Sequence, residues 1–169
     1  IYITGGSQGA NYLNEVIPKA LNKVNQRLRV VHQAGKGSSE LVINTYLKNK
    51  FDLLVVKDFF DDPFVEIQKA DFVISRSGAL SVSEITSLNK GGLYIPLHNS
   101  IDDHQMHNAK YAVGVGMGEI FSESGSLDDL IDKLNEIIEQ RSYLSWQKNS
   151  DIDHSQAAEK IYNHIFNYD

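Results

Sequence analysis

The apolar positions of this chain fall into short runs at intervals, with longer amphipathic stretches between them. The runs are Ile1–Thr4, Leu28–His32, Leu53–Val56, Phe72–Ser75, Leu93–Pro96 and, more weakly, Glu119–Phe121. The segments between them, GANYLNEVIPKALNKVNQ, SSELVINTYLKNK, DPFVEIQKA, ALSVSEITSLNK and DDHQMHNAKYAVGVG, carry helical spacing. Strands apolar on both faces and separated by helices predict a parallel sheet covered on two sides. Right-handed crossovers then give a doubly wound, Rossmann-like α/β domain of about six strands. Two more helices are expected at the end. The first is SLDDLIDKLNEIIEQ, with Ser126 as N-cap before Asp128 and Asp129. The second is SQAAEKIYNHIFN, whose Ala158, Ile161, Tyr162 and Ile165 share an apolar face. No repeat, low-complexity tract or linker interrupts the pattern, so residues 1–169 read as one domain.

Composition narrows the picture. Apolar residues make up 41% of the 169 and charged residues 22%, the balance of a globular chain. A net charge of −6 without a Lys/Arg cluster argues against a nucleic-acid partner. The absence of cysteine excludes disulfides and thiolate metal sites and agrees with a cytoplasmic location. No apolar run approaches the roughly 18 residues of a membrane span, and no signal peptide is visible. The chain opens inside a buried-looking strand, IYITGG, as a piece of a longer protein would.

In doubly wound sheets ligands gather beyond the carboxyl ends of strands, at helix N-termini. That directs attention to Thr4–Ala10, Gln33–Ser38, Lys57–Pro63, Ser75–Ser81 and Leu97–Gln105. In TGGSQGA, Gly5, Gly6 and Gly9 admit a ligand close to the backbone, Ser7 adds a hydroxyl, and the next helix end suits a phosphate. The turn matches neither G-x-G-x-x-G nor the phosphate loop ending in Gly-Lys-Ser/Thr. The second strand ends in VVHQAG rather than in an acid for ribose, which disfavours NAD. A tight turn without a ligand is the alternative.

In RSGALSVSEI, Ser77 and Gly78 form a turn and Ala79 to Ser81 open a helix with free N–H groups. Ser77 is a candidate cap, and the Ser81 hydroxyl is suited to a diphosphate oxygen. Glu84 lies one turn in from Leu80, and its acceptor-only carboxylate matches two ribose hydroxyls. A capping box, with Ser81 as N-cap and Glu84 three residues on, competes with this reading. In PLHNSIDDHQMHNA, the group Asp102, Asp103, Gln105 and Asn108 suits the hydroxyls and amide of a sugar, or else forms a solvated helix start. His104 and His107 have neither zinc-helix spacing nor an evident third ligand, so no metal is expected. HQAGKG, with Gly35 and Gly37 around Lys36, either brings Lys36 to a phosphate or is a flexible loop, and the loop is the preferred reading. KDFFDDP sets Phe59 and Phe60 at a strand end, as core residues or with one facing a base, and its backbone is able to read a uracil edge.

The segments GGSQGA with LN after it, HQAGKG, FFDDP, ADFVISRSGALSVSEI, IPL and DDHQMHNA occur in the order and spacing of the MurG family, from Ile1 to about Ala109. The chain resembles the C-terminal half of that family. The resemblance implies a GT-B fold of two domains, of which this would be the donor-binding half. It implies inverting transfer of N-acetylglucosamine from UDP-N-acetylglucosamine to lipid I, giving lipid II for peptidoglycan, with no cofactor. By position, Ser7 would contact the diphosphate or sugar, and Phe60 would offer its backbone to uracil. Ala79, Leu80, Ser81, Val82, Ser83 and Glu84 would form the nucleotide loop and helix, with Glu84 on the ribose. Gln105 would hold the sugar hydroxyls, assisted by Asn108. Acceptor loop, membrane-facing patch and catalytic base would belong to an N-terminal half absent from these residues. The domain alone would then be inactive, and the whole enzyme peripheral on the inner face of the plasma membrane. Departures are Ser81 where threonine is common, NKGGLYIP without the frequent proline, and His104 at a variable position. A donor-binding subunit of a split glycosyltransferase is the nearest competitor. A UDP-sugar sensor or epimerase is the other, with His98, Asp103 and His104 as its acid–base groups.

Overall fold

The computed structural model describes residues 1–6, 9–97 and 103–146. The apolar runs become strands β1 (Tyr2–Thr4), β2 (Leu28–Gln33), β3 (Phe51–Lys57), β4 (Val73–Ser75), β5 (Gly92–Tyr94) and β6 (Gly118–Ile120). Between them stand helices α1 (Asn11–Leu21), α2 (Ser39–Thr45), α3 (Pro63–Lys69), α4 (Ala79–Ser87) and α5 (His104–Gly114), followed by α6 (Leu127–Glu139) and α7 (Tyr143–Trp146). All neighbouring strands pair in parallel, in the order β3–β2–β1–β4–β5–β6. Ser7, Asp102 and the helix expected over SQAAEKIYNHIFN lie outside the described residues.

Period-two alternation sends successive side chains to opposite faces of the sheet. Ile3, Ile74 and Leu93 face Leu13, Ile17 and Leu21 of α1 and Leu130, Leu134 and Ile137 of α6. Tyr2, Val73 and Tyr94 face Ile67 of α3, Val82 and Ile85 of α4, and Ala109 and Ala112 of α5. Strands of three residues make few ladder bonds, so burial at roughly 1.5–3 kcal/mol per large apolar side chain holds the sheet.

Where the strands differ from expectation, solvent or proline explains it. Edge strand β3 begins at Phe51, two residues early: Phe51 is buried, and the exposed Asp52 after it interrupts the apolar run by which the strand is read in the sequence. The Arg27 guanidinium braces that start, donating to the Asn49 and Phe51 carbonyls at 2.8 and 3.2 Å. β5 stops before Pro96, which has no N–H for the ladder. At α6 the expected cap is present. Asp129 N–H donates to Ser126 Oγ, and Ser126 N–H donates back to the Asp129 carboxylate, both at 3.1 Å. Among the described residues no helix is long and apolar enough to cross a membrane.

Candidate functional site

The connection after β1 leads outward to β2 and β3, and the chain then returns to place β4 on the other side of β1. Where the order reverses, the connections leave toward opposite faces and a crevice opens at the carboxyl ends. Thr4 is the register partner of Ser75, so the two turns singled out in the sequence spring from neighbouring strands about 4.8 Å apart.

In the first turn Gly6 takes φ +82°, a left-handed conformation that suits glycine, and a Cβ there would meet nothing within 4 Å. Its N–H donates to Thr4 Oγ1 at 3.1 Å. Gly5 and Gly9 serve packing instead. A Cβ on Gly9 would lie 2.3 Å from the Ala34 carbonyl oxygen, and one on Gly5 would strike Ala10. Gly9 therefore seats the turn on the end of β2, and its N–H is committed to the Gly6 carbonyl at 3.2 Å. Of the three glycines, Gly9 thus has its N–H used within the turn, and Gly6 is the one with open space beside it. Helix α1 follows Ala10, which supplies no side-chain cap.

The second turn corrects two expectations. The N-cap of α4 is Gly78, not Ser77, whose buried hydroxyl donates to the Gln105 carbonyl at 2.8 Å. Ser81 is the third helical residue, so no capping box with Glu84 exists. Gly78 has an ordinary φ of −59°, and a Cβ there would meet open space. Neither strain nor packing among the described residues requires a glycine here. Beside this uncapped helix end the Ser75 hydroxyl is buried without a hydrogen-bond partner among the described residues.

Helical phase divides the run Ala79–Glu84. Val82 turns into the core at 5% exposure, so its side chain is withdrawn from the crevice. Ala79 and Ser83 line a shallow depression toward Asn108 and Tyr111 of α5. Leu80, Ser81 and Glu84 share the other flank, three and four residues apart. Burial raises the pKa of the half-buried Glu84. The Tyr2 hydroxyl is pushed up to about 12, chiefly by burial, with the Glu66 and Glu84 charges adding to it. Glu84 thus sits within electrostatic reach of β1.

Helix α5 is tied to the same place. Gln105 Oε1 accepts from the Leu97 N–H at 3.0 Å, while its Nε2 has no partner among the described residues. Asn108 Nδ2 donates to the Ser77 carbonyl at 3.0 Å, which ties α5 to the turn before α4. Beyond β3, Phe60 packs edge-on against Tyr2 at 6.0 Å, and Lys57 Nζ lies 5.3 Å from its ring centroid. The Phe60 N–H donates to Gln33 Oε1 at 3.3 Å, leaving its carbonyl as the backbone group without a partner among the described residues. Phe59 is 46% exposed and is not a core residue. HQAGKG is a pinned turn rather than a loose loop: Asp58 accepts from the Gly37 and Ser39 N–H groups at 2.7 and 2.9 Å. A hydrogen bond from the Ser39 side chain, together with these backbone bonds, holds the Asp58 pKa low.

Gln33 and Arg76 went unnoticed in the sequence. Gln33 stands at a strand end already marked as a turn. Nothing local marks Arg76, which is buried under the crevice. It donates to the Ile95 carbonyl at 3.0 Å, pairs with Glu123 and lies 5.8 Å from the Tyr12 ring. His32 is a core histidine, held between the Tyr46 hydroxyl at 2.9 Å and Asn14 Oδ1 at 3.1 Å, and burial lowers its pKa to about 4. Among the described residues no three His, Cys, Asp or Glu side chains group to hold a metal.

The fold is similar to the crystal structure of Acinetobacter baumannii MurG, with a TM-score of 0.79 and 28% identity over 96% of this chain and 51% of that one. In fold alone it is similar to the S. aureus MnaA–UDP co-structure, with a TM-score of 0.64 and 16% identity over 99% of this chain and 44% of that one. Sheet order and crevice define a Rossmann-like domain of the GT-B glycosyltransferase class. The family model of the glycosyltransferase family 28 C-terminal domain matches residues 1–165, and the chain belongs to that family. Among curated relatives is the UDP-N-acetylglucosamine--N-acetylmuramyl-(pentapeptide) pyrophosphoryl-undecaprenol N-acetylglucosamine transferase of Aliivibrio salmonicida (strain LFI1238). It is 38% identical over 80% of this chain and 38% of its own length. The protein of the same name from Wigglesworthia glossinidia brevipalpis is 35% identical over 99% of this chain and 47% of its own length. The chain spans less than half the length of these relatives.

Proposed function

We propose that this chain is the donor-binding domain of an inverting transferase that moves N-acetylglucosamine from UDP-N-acetylglucosamine to lipid I, forming lipid II. The observation that carries this is the adjacency of the Gly6 turn and the uncapped start of α4 at the sheet's reversal. In the reaction a muramyl 4-hydroxyl attacks the anomeric carbon, the bond to the donor oxygen breaks, and UDP leaves with the negative charge. The first-turn N–H groups of α1 and α4 face that charge and lower the barrier. One exposed helix end supplies only about 0.3–1 kcal/mol, so both act together.

Glu84 accepts from the two ribose hydroxyls, and Ser81 donates to a diphosphate oxygen. The Phe60 carbonyl accepts from uracil N3–H; cytosine presents a lone pair there, so the site selects uridine. Gln105 Nε2 donates to a hydroxyl of the transferred sugar. Ser7 adds a hydroxyl to the diphosphate turn. Deprotonation of the acceptor belongs to an N-terminal half, as do acceptor binding and attachment to the inner face of the plasma membrane. Residues 1–169 therefore bind donor and turn nothing over. Isothermal titration with UDP-N-acetylglucosamine and with NAD tests the reading. Binding of the sugar nucleotide alone is expected, and tighter NAD binding ends it. Incubation with UDP-N-acetylglucosamine alone should return it unchanged, since a new epimer would make the chain an epimerase.

A further inference from the structure

Gln33 ends β2 at the crevice, 5% exposed, and its carboxamide is used at both ends. Oε1 accepts from the Phe60 N–H and from the Tyr2 hydroxyl, each at 3.3 Å. Nε2 donates to the Gly6 carbonyl at 3.3 Å and to Thr4 Oγ1 at 3.4 Å. One neutral side chain thus grips both the turn assigned to the diphosphate and the loop assigned to the base. We propose that Gln33 is a positioning residue that couples these halves of the nucleotide site, so that uridine and diphosphate bind each other's half more tightly when joined. The inference rests on the donor-site reading above.

Chemistry explains the residue type. Bridging a backbone N–H and a backbone carbonyl takes one acceptor and one donor on a single rigid group, which an amide has. Glutamate keeps the shape but only accepts, and leucine does neither. The four bonds are long, so each adds little by itself. Their effect is to fix two loops in register before the ligand arrives, sparing it the ordering cost.

The test titrates the full chain with UDP, uridine and inorganic pyrophosphate. If the wild type binds no UDP, the donor-site reading fails and this inference falls with it. Given wild-type binding, Gln33→Leu should raise the Kd for UDP about tenfold. Uridine and pyrophosphate taken singly should each move less than about threefold, because only the coupling is lost. Gln33→Glu should retain uridine, since its carboxylate still accepts from Phe60, and lose pyrophosphate, since a charge then stands beside Gly6. In the wild type, pyrophosphate alone should slow amide hydrogen exchange at Phe60. Unchanged UDP binding in Gln33→Leu overturns the proposal. So does equal loss of all ligands in both variants with a falling Tm, or Phe60 exchange indifferent to pyrophosphate.

Discussion

Replacing Glu84 with glutamine probes the crevice most directly, because the same side chain has opposite effects on stability and on binding. Burial holds its carboxyl above the usual 4.5. Between the usual and the raised pKa the folded chain binds more protons than the unfolded one, so stability falls as pH rises through that window. At pH 7 the ionised Glu84 is therefore a burden on the free protein, and Glu84→Gln should leave Tm unchanged or slightly raised. UDP binding should move the other way. Two charge-assisted hydrogen bonds to ribose, about 1.5–3 kcal/mol each, become two neutral ones of about 0.5–1.5 kcal/mol each, Oε1 accepting from one hydroxyl and Nε2 donating to the other. Part of that difference is offset by carboxylate desolvation, leaving about 2 kcal/mol, a roughly 30-fold rise in Kd. Titration calorimetry with UDP and with inorganic pyrophosphate, beside thermal melts, reads all three quantities. Wild-type UDP affinity should also decline as pH falls through the raised carboxyl range, while the glutamine variant stays flat. UDP binding within about twofold of wild type, or loss of pyrophosphate in step with UDP, would refute the ribose role.

Other predictions follow from the same geometry. Gly9→Ala should destabilise by several kcal/mol or prevent folding, because its Cβ would sit 2.3 Å from the Ala34 oxygen at φ +71°; a Tm near wild type would contradict this. Gly78→Ser should keep or slightly raise Tm, since serine is a good N-cap, yet weaken UDP about tenfold or more by filling the open space over the helix end. His32 has a folded pKa near 4 against an ordinary 6.5, so the unfolded chain binds the extra proton between those values. Stability, complete above pH 6.5, should fall by about 3 kcal/mol toward pH 4, visible as a falling urea midpoint that His32→Gln flattens. Ser126→Ala should cost about 1 kcal/mol by opening the cap of α6, with UDP affinity unchanged.

Local information carried much of this protein. The alternation of apolar runs and helical stretches specified six strands within a residue or two, because period is a property of neighbouring residues. Helices α1 and α2, by contrast, stop at Leu21 and Thr45, well short of the ends of their amphipathic stretches. The family's motifs marked the two turns that meet at the sheet's reversal. What needed the third dimension was how each polar group is used. Whether Ser77 caps α4 or reaches Gln105 depends on α5, 28 residues away. Whether the Phe60 N–H is open to a base depends on Gln33, 27 residues earlier. Gly9 and Gly78 look alike in the sequence, yet one fills a contact with β2 and the other leaves a vacancy. Hydrogen-bond partners and empty space are set by segments distant along the chain, and only the closed sheet brings them within a few ångströms of each other.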